Sequence, residues 1–541
     1  MWTWGRGLSA PDASAPADEP VPGKAGFASA AASGSAWTTL QTVANKFVTV
    51  FAMLVLARLL TPAEFGLASL AASIGAFLFV FSPFVMGDVL LAQPKRLNEL
   101  GATAQSIAWG AGLLLFVILA AAALPIEWIS GRAGLAFLLI VVVAQRPLAD
   151  AAFMLPNARL RSQLAYRRIA MIDAGVILFA TVSGVAMAYF GAGASAIIFP
   201  PIAMIWLRAF FYARAIRKDS RAASVSVSPS VNHSLARPLA QRFAVAALGQ
   251  YLHNILLCVD VIVLSFFASE TEIGLFGFAA QLAMQANVVI AIQLGGVLQP
   301  IFAHIHNDAV RQVSGFIRAT RLLSAVAVPL SLIQAALAVP AFTLLFAAKW
   351  QGSIAVFATL SVGQAFVFVT APAIALLKAQ GRFKAYFVWQ FAQLSAAIVA
   401  YVCALQFGGP TALRFAAAIG LPVDEDAGKA LALSIASALV WVICSPVAVW
   451  LAGRPARLSV RSALSIFFAP WLVTVPVALA LIWAWAMLRG SIAPVRADII
   501  TVALLGPFAV ALSVVGCVCI RADTRADFVS ILGRFRPRKM R

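Results

Sequence analysis

The chain has 541 residues, 62% of them hydrophobic and only 11% charged, with 40 Lys and Arg against 20 Asp and Glu for a net charge of +20. Soluble domains carry roughly 25% charged residues, so a water-soluble globule is excluded, and a bilayer crossed by helices that satisfy their own backbone is the solution that remains. The cations stand in short clusters between apolar runs, which fits membrane lipids with anionic headgroups and the positive-inside rule, and no nucleic-acid partner is expected.

Residues 1–34 are rich in Ala, Ser, Pro and Gly, carry Asp12, Asp18 and Glu19, and hold no apolar run. They read as a disordered cytoplasmic tail and not as a signal peptide. Apolar runs long enough to span follow at 36–57, 66–91, 104–126, 134–156, 169–189, 194–215, 242–267, 274–301, 322–346, 354–377, 385–406, 430–451, 463–487 and 499–520. The expected fold is all-α and polytopic, with about fourteen transmembrane helices. Cations gather in every second connection: Arg159, Arg161, Arg167 and Arg168; Arg214, Arg217, Lys218, Arg221, Arg237 and Arg242; Arg311, Arg318 and Arg321; Lys378, Arg382 and Lys384; Arg454, Arg457 and Arg461. The tail adds Arg534, Arg536, Arg538, Lys539 and Arg541, whereas the intervening connections hold roughly one cation each, Arg58, Arg132 and Lys349 among them. Both termini are therefore expected in the cytoplasm of a bacterial inner-membrane protein.

Sliding the chain by 208 positions lays Glu64-Phe65-Gly66-Leu67 on Glu272-Ile273-Gly274-Leu275, with Val55, Leu56, Ala71 and Ala72 on Val263, Leu264, Ala279 and Ala280. A second echo at offset 220 pairs Ala165-Tyr166 with Ala385-Tyr386. A period of six spans is even, so the copies keep one orientation and are related by an axis along the membrane normal. The expected organisation is an N-terminal six-helix bundle (35–216), an inter-bundle linker (217–240), a C-terminal six-helix bundle (241–453), an added helix pair (454–521) and a basic tail (522–541).

In the first span Thr38, Thr42, Asn45, Lys46 and Thr49 share one helical face. Either a polar seam between helices or a cavity wall explains the stripe, and Lys46 near the midplane tilts the reading toward a cavity. Gln250, His253 and Asn254 continue the theme in the seventh span, and Gln281, Gln285 and Gln293 in the eighth, where amides suit either sugar hydroxyls or neighbouring helices. Arg146 and Asp150 are four apart and read as a self-neutralising pair. Asp173 reads as an ion-pair partner of Arg167 or Arg168, while Asp88 and Asp260 lack a neighbour in sequence and are candidates for proton or sodium coupling. His233, His304 and His306 read as solvated loop residues. Cys258, Cys403, Cys444, Cys517 and Cys519 lie in apolar segments and read as small buried side chains, with neither a disulfide nor a metal inferred. Asp424-Glu425-Asp426 has the acidic spacing of a nucleotide-sugar metal site but falls in an outer loop, so a solvated cluster is expected. No phosphate loop, zinc spacing or nucleophile elbow appears; no cofactor, catalytic residue or enzyme activity is expected.

The segment Ala57-Arg58-Leu59-Leu60-Thr61-Pro62-Ala63-Glu64-Phe65-Gly66-Leu67 resembles the first periplasmic turn of Wzx-type polysaccharide exporters, of the multidrug/oligosaccharidyl-lipid/polysaccharide superfamily. Arg58, Pro62, Glu64, Phe65 and Gly66 carry the likeness. Pro62 ends one helix, Glu64 faces the dipole of the next, and Gly66 permits close helix approach. The resemblance implies flipping of an undecaprenyl-diphosphate-linked oligosaccharide by rocking of two bundles, driven by H+ or Na+, beside a polysaccharide polymerase and a chain-length regulator. The alternatives are a MATE-like cation-coupled drug exporter and a membrane-embedded polymerase or ligase, with a lipid II flippase as a further relative of the same resemblance. Cationic drugs would prefer an acidic cavity to the cationic stripe of the first span, and a polymerase or ligase usually needs a larger outer loop than residues 407–429.

The cation alternation predicts topology directly. Reporter fusions after residues 225 and 535 should report cytoplasm, and a fusion after residue 425 should report periplasm; a periplasmic signal at 535 overturns the count.

Overall fold

A computed structural model describes residues 48–79, 96–163, 165–222, 233–285, 309–380, 382–422, 424–456 and 458–520, together with Asn45, Met86, Gly87, Leu90 and Arg525. Every regular element among them is helical. The first group comprises α1 (Val48–Leu59), α2 (Pro62–Leu78), α3 (Leu97–Ser130), α4 (Leu135–Ser162), α5 (Tyr166–Tyr189) and α6 (Ser195–Ala222). The second comprises α7 (His233–Leu256), α8 (Val259–Ser265), α9 (270–285), α10 (Ala309–Ala336), α11 (Ala338–Leu345), α12 (Ser353–Val369), α13 (Ala371–Ala379), α14 (Phe383–Phe407), α15 (Gly409–Ala418) and α16 (Gly428–Gly453). The chain closes with α17 (Val460–Ser491), α18 (Pro494–Ile500) and α19 (Gly506–Ile520).

Ten helices among the described residues are long and apolar enough to cross a bilayer. Two further expected runs appear as the shorter apolar helices α1 and α2. The seventh is divided into α7 and α8 at Leu257–Cys258, and the eighth begins as α9 and leaves the described residues after 285. Helix also extends past the apolar runs: α6 continues to Ala222 and α7 starts at His233, so both enter the stretch read as linker, and His233 opens a helix instead of standing in a loop. Hydropathy marks only the lipid-covered part of a helix, whereas its hydrogen-bond ladder continues through Arg, Gln and Ser at the interface.

Within the first group α4 is the central helix, 61% buried over its apolar window, while α3 and α5 are mostly turned outward. Leu119, Leu135, Leu139, Val142, Val143 and Ile198 form a core with Leu70 of α2 and Phe79 just past its end. Leu138–Val143 is a π-helical turn inside α4, packed against α2 and α6. In the second group α12 is the most enclosed span at 72%, and α17 docks on its core through Phe467, stacked on Phe366 at 5.4 Å. Leu113, Leu114, Val117, Phe179, Val182, Val399, Leu472, Trp483 and Leu504 stand exposed around the rim. On a membrane protein that belt is the surface for lipid tails.

Several paired or buried readings take definite form. Arg146 lies 3.9 Å from Asp150 and also stands over the Phe79 ring. Asp173, by contrast, is held by α6, where Arg208 Nε lies at 2.9 Å and the Tyr212 hydroxyl donates at 2.9 Å. Cys258 and Cys517 are buried as expected, but Cys403 and Cys519 are exposed on the outer belt, where a small apolar side chain is equally at home. Asp424 accepts the Asp426 N–H at 3.2 Å and so caps the short helical turn before α16.

The last helix pair is pinned by one buried acid. Asp498, 3% exposed, accepts hydrogen bonds from Trp485 Nε1 at 2.7 Å and Thr343 Oγ1 at 2.9 Å and pairs with Arg489 at 3.1 Å. Thr343 belongs to α11, so this carboxylate ties the pair to the second group. Asp498→Ala should strand three donors and lower stability by roughly 2–3 kcal/mol, read as a reduced unfolding temperature of the purified protein in detergent. An unchanged temperature would show that the tie contributes nothing.

Candidate functional site: the closure between the two repeats

The residues matched at offset 208 meet face to face. A Cβ added at Gly66 would stand 1.9 Å from the Glu270 carbonyl oxygen and 2.9 Å from the Gly274 nitrogen, and one added at Gly274 would stand 1.7 Å from the Pro62 carbonyl oxygen and 3.0 Å from the Gly66 nitrogen. One turn on, a Cβ at Gly277 would lie 2.4 Å from Ser69 Oγ. Each pair obeys the same arithmetic, since 270 − 62, 274 − 66 and 277 − 69 all equal 208. A local two-fold axis therefore passes between α2 and α9, and the two backbones touch along it because neither glycine has a side chain.

Both helices start in the same way. Thr61 N–H donates to Glu64 Oε2 at 2.7 Å and Glu64 N–H to Thr61 Oγ1 at 3.3 Å; Ser269 N–H donates to Glu272 Oε2 at 3.1 Å and Glu272 N–H to Ser269 Oγ at 3.2 Å. These are reciprocal capping boxes, and they give Glu64 a structural role at the helix start. The signal was present as Thr-x-x-Glu and Ser-x-x-Glu at 61 and 269.

Below the crossing an aromatic plug joins the groups. Phe278 stacks on Trp350 at 4.0 Å, and Phe65 meets both edge-on, at 5.5 Å from Phe278 and 5.0 Å from Trp350. Phe65, Phe278 and Trp350 are all at most 2% exposed. Polar contacts cross at the same level. Trp350 Nε1 donates to the Ala57 carbonyl at 2.7 Å and Lys349 Nζ to the Arg58 carbonyl at 2.9 Å. From the other side, Arg132 donates to the Ser265 and Ala268 carbonyls, both at 2.9 Å. Burial pushes the Lys349 ammonium below its usual pKa, opposed by nearby Glu64, and the Arg132 guanidinium likewise, opposed by Glu270. The end of the molecule that carries these turns is therefore shut by backbone contact, stacked rings and buried hydrogen bonds.

The expected cavity residues are distributed as follows. Asn45 is partly exposed, and its carbonyl accepts the Thr49 hydroxyl at 2.8 Å. Thr42, Lys46 and Asp88 lie outside the described residues, as do Gln293, His304 and His306. Gln250 and His253 fall on α7, with side chains outside the described set. Asn254 is half-buried on α7, one turn before the break that divides that span, and Asp260 sits just beyond the break, where Oδ1 accepts the Val261 N–H at 2.8 Å. Gln281 is exposed on α9, and Gln285 Nε2 reaches its carbonyl at 3.1 Å. Arg58 is exposed beside the closure, whereas Arg132, Lys349 and Trp350, which the sequence presents only as scattered outer-loop residues, form part of it. Among the described residues no group of three or more His, Cys, Asp or Glu side chains could hold a metal ion.

Comparison with known proteins places this geometry. A family described as "Polysaccharide biosynthesis protein" matches residues 55–355. The succinoglycan biosynthesis transport protein ExoT of Rhizobium meliloti (strain 1021) is 26% identical over 366 residues, which cover 65% of this chain and 70% of the relative. Among solved structures, the lipid II flippase MurJ in an inward closed conformation superposes with a TM-score of 0.63 at 12% identity, covering 89% of this chain and 99% of MurJ. An inward-facing multidrug resistance MATE family transporter of the MOP superfamily gives 0.53 at 12% identity, over 77% and 95%. At such identities the likeness to the two structures is one of fold.

The glycine crossing makes a sharp stability prediction. Gly66→Ala and Gly274→Ala must each push α2 and α9 apart, and each should cost about 2–3 kcal/mol, in the range of an overpacked core. Gly110→Ala, where an added Cβ meets nothing within 4 Å, should be neutral or raise stability slightly through helix propensity. Thermal unfolding in detergent compares the three; equal melting temperatures would refute the close approach.

Proposed function

We propose that this chain, which belongs to the polysaccharide biosynthesis protein family, flips an undecaprenyl-diphosphate-linked oligosaccharide repeat unit across the bacterial inner membrane for surface-polysaccharide assembly. The chain is a multi-pass helical membrane protein with the fold of two known exporters. Its strongest support is the residue-for-residue crossing of the two repeats at Gly66 and Gly274. Two bundles that meet at one end about a local two-fold axis can rock apart there and close at the other end, and such rocking exposes a central cavity to each leaflet in turn.

On this reading both termini are cytoplasmic and the glycine crossing is the periplasmic closure. The name of the succinoglycan relative supports a polysaccharide cargo, and the MurJ-like fold supports a lipid-linked one. The MATE-like fold keeps a cation-coupled drug exporter as the rival, which the family match disfavours. The residues proposed for the cavity are Thr42, Asn45, Lys46, Gln250, His253, Asn254, Gln281 and Gln285, whose amides and hydroxyls suit sugars, with Lys46 proposed to draw the diphosphate. Asp260, at the break between α7 and α8, is the better-supported coupling acid, because a carboxylate at an interrupted span can change its protonation or its ion as the bundle moves. Asp88 is the second candidate. A polymerase and a chain-length regulator would act on the flipped product, and the chain itself carries out no bond chemistry.

Lys46 tests the reading. It lies about ten residues from either end of the expected span 36–57, or roughly 15 Å at 1.5 Å per residue, too far for its stem to reach the interface. Exposure to lipid would cost about 2.5–3.5 kcal/mol on insertion scales. In a strain lacking the gene, which should lose its surface polysaccharide and accumulate lipid-linked units on the cytoplasmic side, Lys46→Ala should fail to restore export although the protein inserts at normal levels. Lys46→Arg should restore part of it. Full export by Lys46→Ala would refute the assignment, and loss of the protein itself would point to a structural ion pair.

A further inference from the structure

The buried hydrogen bonds at the closure follow the repeat, and their origin lies in the capping boxes. In a continuous helix the N–H of Thr61 would bond the carbonyl of Ala57, and that of Ser269 the carbonyl of Ser265. Each capping box takes that N–H for a glutamate instead. The Ala57 and Ser265 carbonyls are thereby released at the ends of α1 and α8, where burial without a partner would be costly. Trp350 Nε1 reaches the first at 2.7 Å and Arg132 the second at 2.9 Å. Since 265 − 57 equals 208, the two acceptors are the same position of the repeat. Their donors are equivalent as well: Arg132 lies in the turn between α3 and α4, and Lys349-Trp350 in the corresponding turn before α12, 217 and 218 residues later, between the offsets of 208 and 220 found elsewhere.

We propose that Arg132 and the Lys349-Trp350 pair are positioning residues, two equivalent latches by which each repeat caps the first span of the other and holds the outer closure shut. The donors on one repeat and the acceptors on the other move apart when the bundles rock, so both latches release in one motion. The exchange is reciprocal, which makes closure depend on the two halves equally. It also gives the outer turn between α3 and α4, poor in charge and otherwise unremarked, a reason to keep a guanidinium that is only 8% exposed.

The proposal rests on the alternating-access reading, and a conformational readout separates the two. With the five native cysteines replaced, Ala279→Cys places a thiol on α9 in the core that the aromatic plug shares, where the native side chain is fully buried, and a membrane-impermeant maleimide applied to spheroplasts reports opening from outside. Trp350→Phe should speed labelling roughly tenfold, the population shift expected for one lost buried hydrogen bond, and Arg132→Ala, which loses two, at least as much. Arg132→Lys should restore part of the protection. Trp350→Phe keeps an aromatic ring on Phe278 but loses part of the indole's bulk along with the donor, so Arg132→Ala, which lies outside the ring stack, guards against a packing artefact, and normal insertion levels guard against misfolding. Unchanged labelling in either variant overturns the equivalence of the latches. Faster labelling in both with polysaccharide export wholly insensitive to opening would sustain the latches and refute the transport reading.

Discussion

Two polypeptide backbones approach without intervening side chains at Gly66 and Gly274, and the remainder of the closure is arranged around that approach. It requires glycine on both sides, because the carbonyl of Glu270 or Pro62 occupies the space a methyl group would need. Close approach brings α2 and α9 near enough for Phe65 and Phe278 to share Trp350, and it carries the ends of α1 and α8 into reach of the opposite repeat's turns before α12 and α4. A bulkier pair at the crossing would separate all of these together.

The closure joins two demands that usually compete. A transporter needs an end that seals in one state and parts in another. Here the shared core that includes Phe65, Phe278 and Trp350 is combined with directional hydrogen bonds to helix-terminal carbonyls. Such carbonyls are acceptors that water can also satisfy once the site opens, which keeps the open state accessible. The last helix pair stands apart from this design. It docks through Phe467, Asp498 and their neighbours on the second group.

Much of the fold was legible because a bilayer imposes one-dimensional rules. Runs of apolar residues become helices. The repeat was legible because equivalent positions near the axis face one another and are restricted alike, as at Glu64-Phe65-Gly66-Leu67 and its mate. The exact ends of helices were not, since Arg237 and Gln241 on α7 are helical without being apolar.

Sequence alone determined that the chain is helical and membrane-embedded, that it contains a repeat of even period, and that Gly66 and Gly274 are equivalent. These follow from composition and spacing alone. Only the tertiary structure decided that the equivalent glycines touch each other, that Asp173 answers to Arg208 on the next helix, and that Arg132, one cation among many, ends on carbonyls 133 and 136 residues away. A hydrogen bond between distant segments leaves no period in either of them. It depends on where two helices stop and on which N–H a capping glutamate has already taken, and those are facts of three-dimensional geometry.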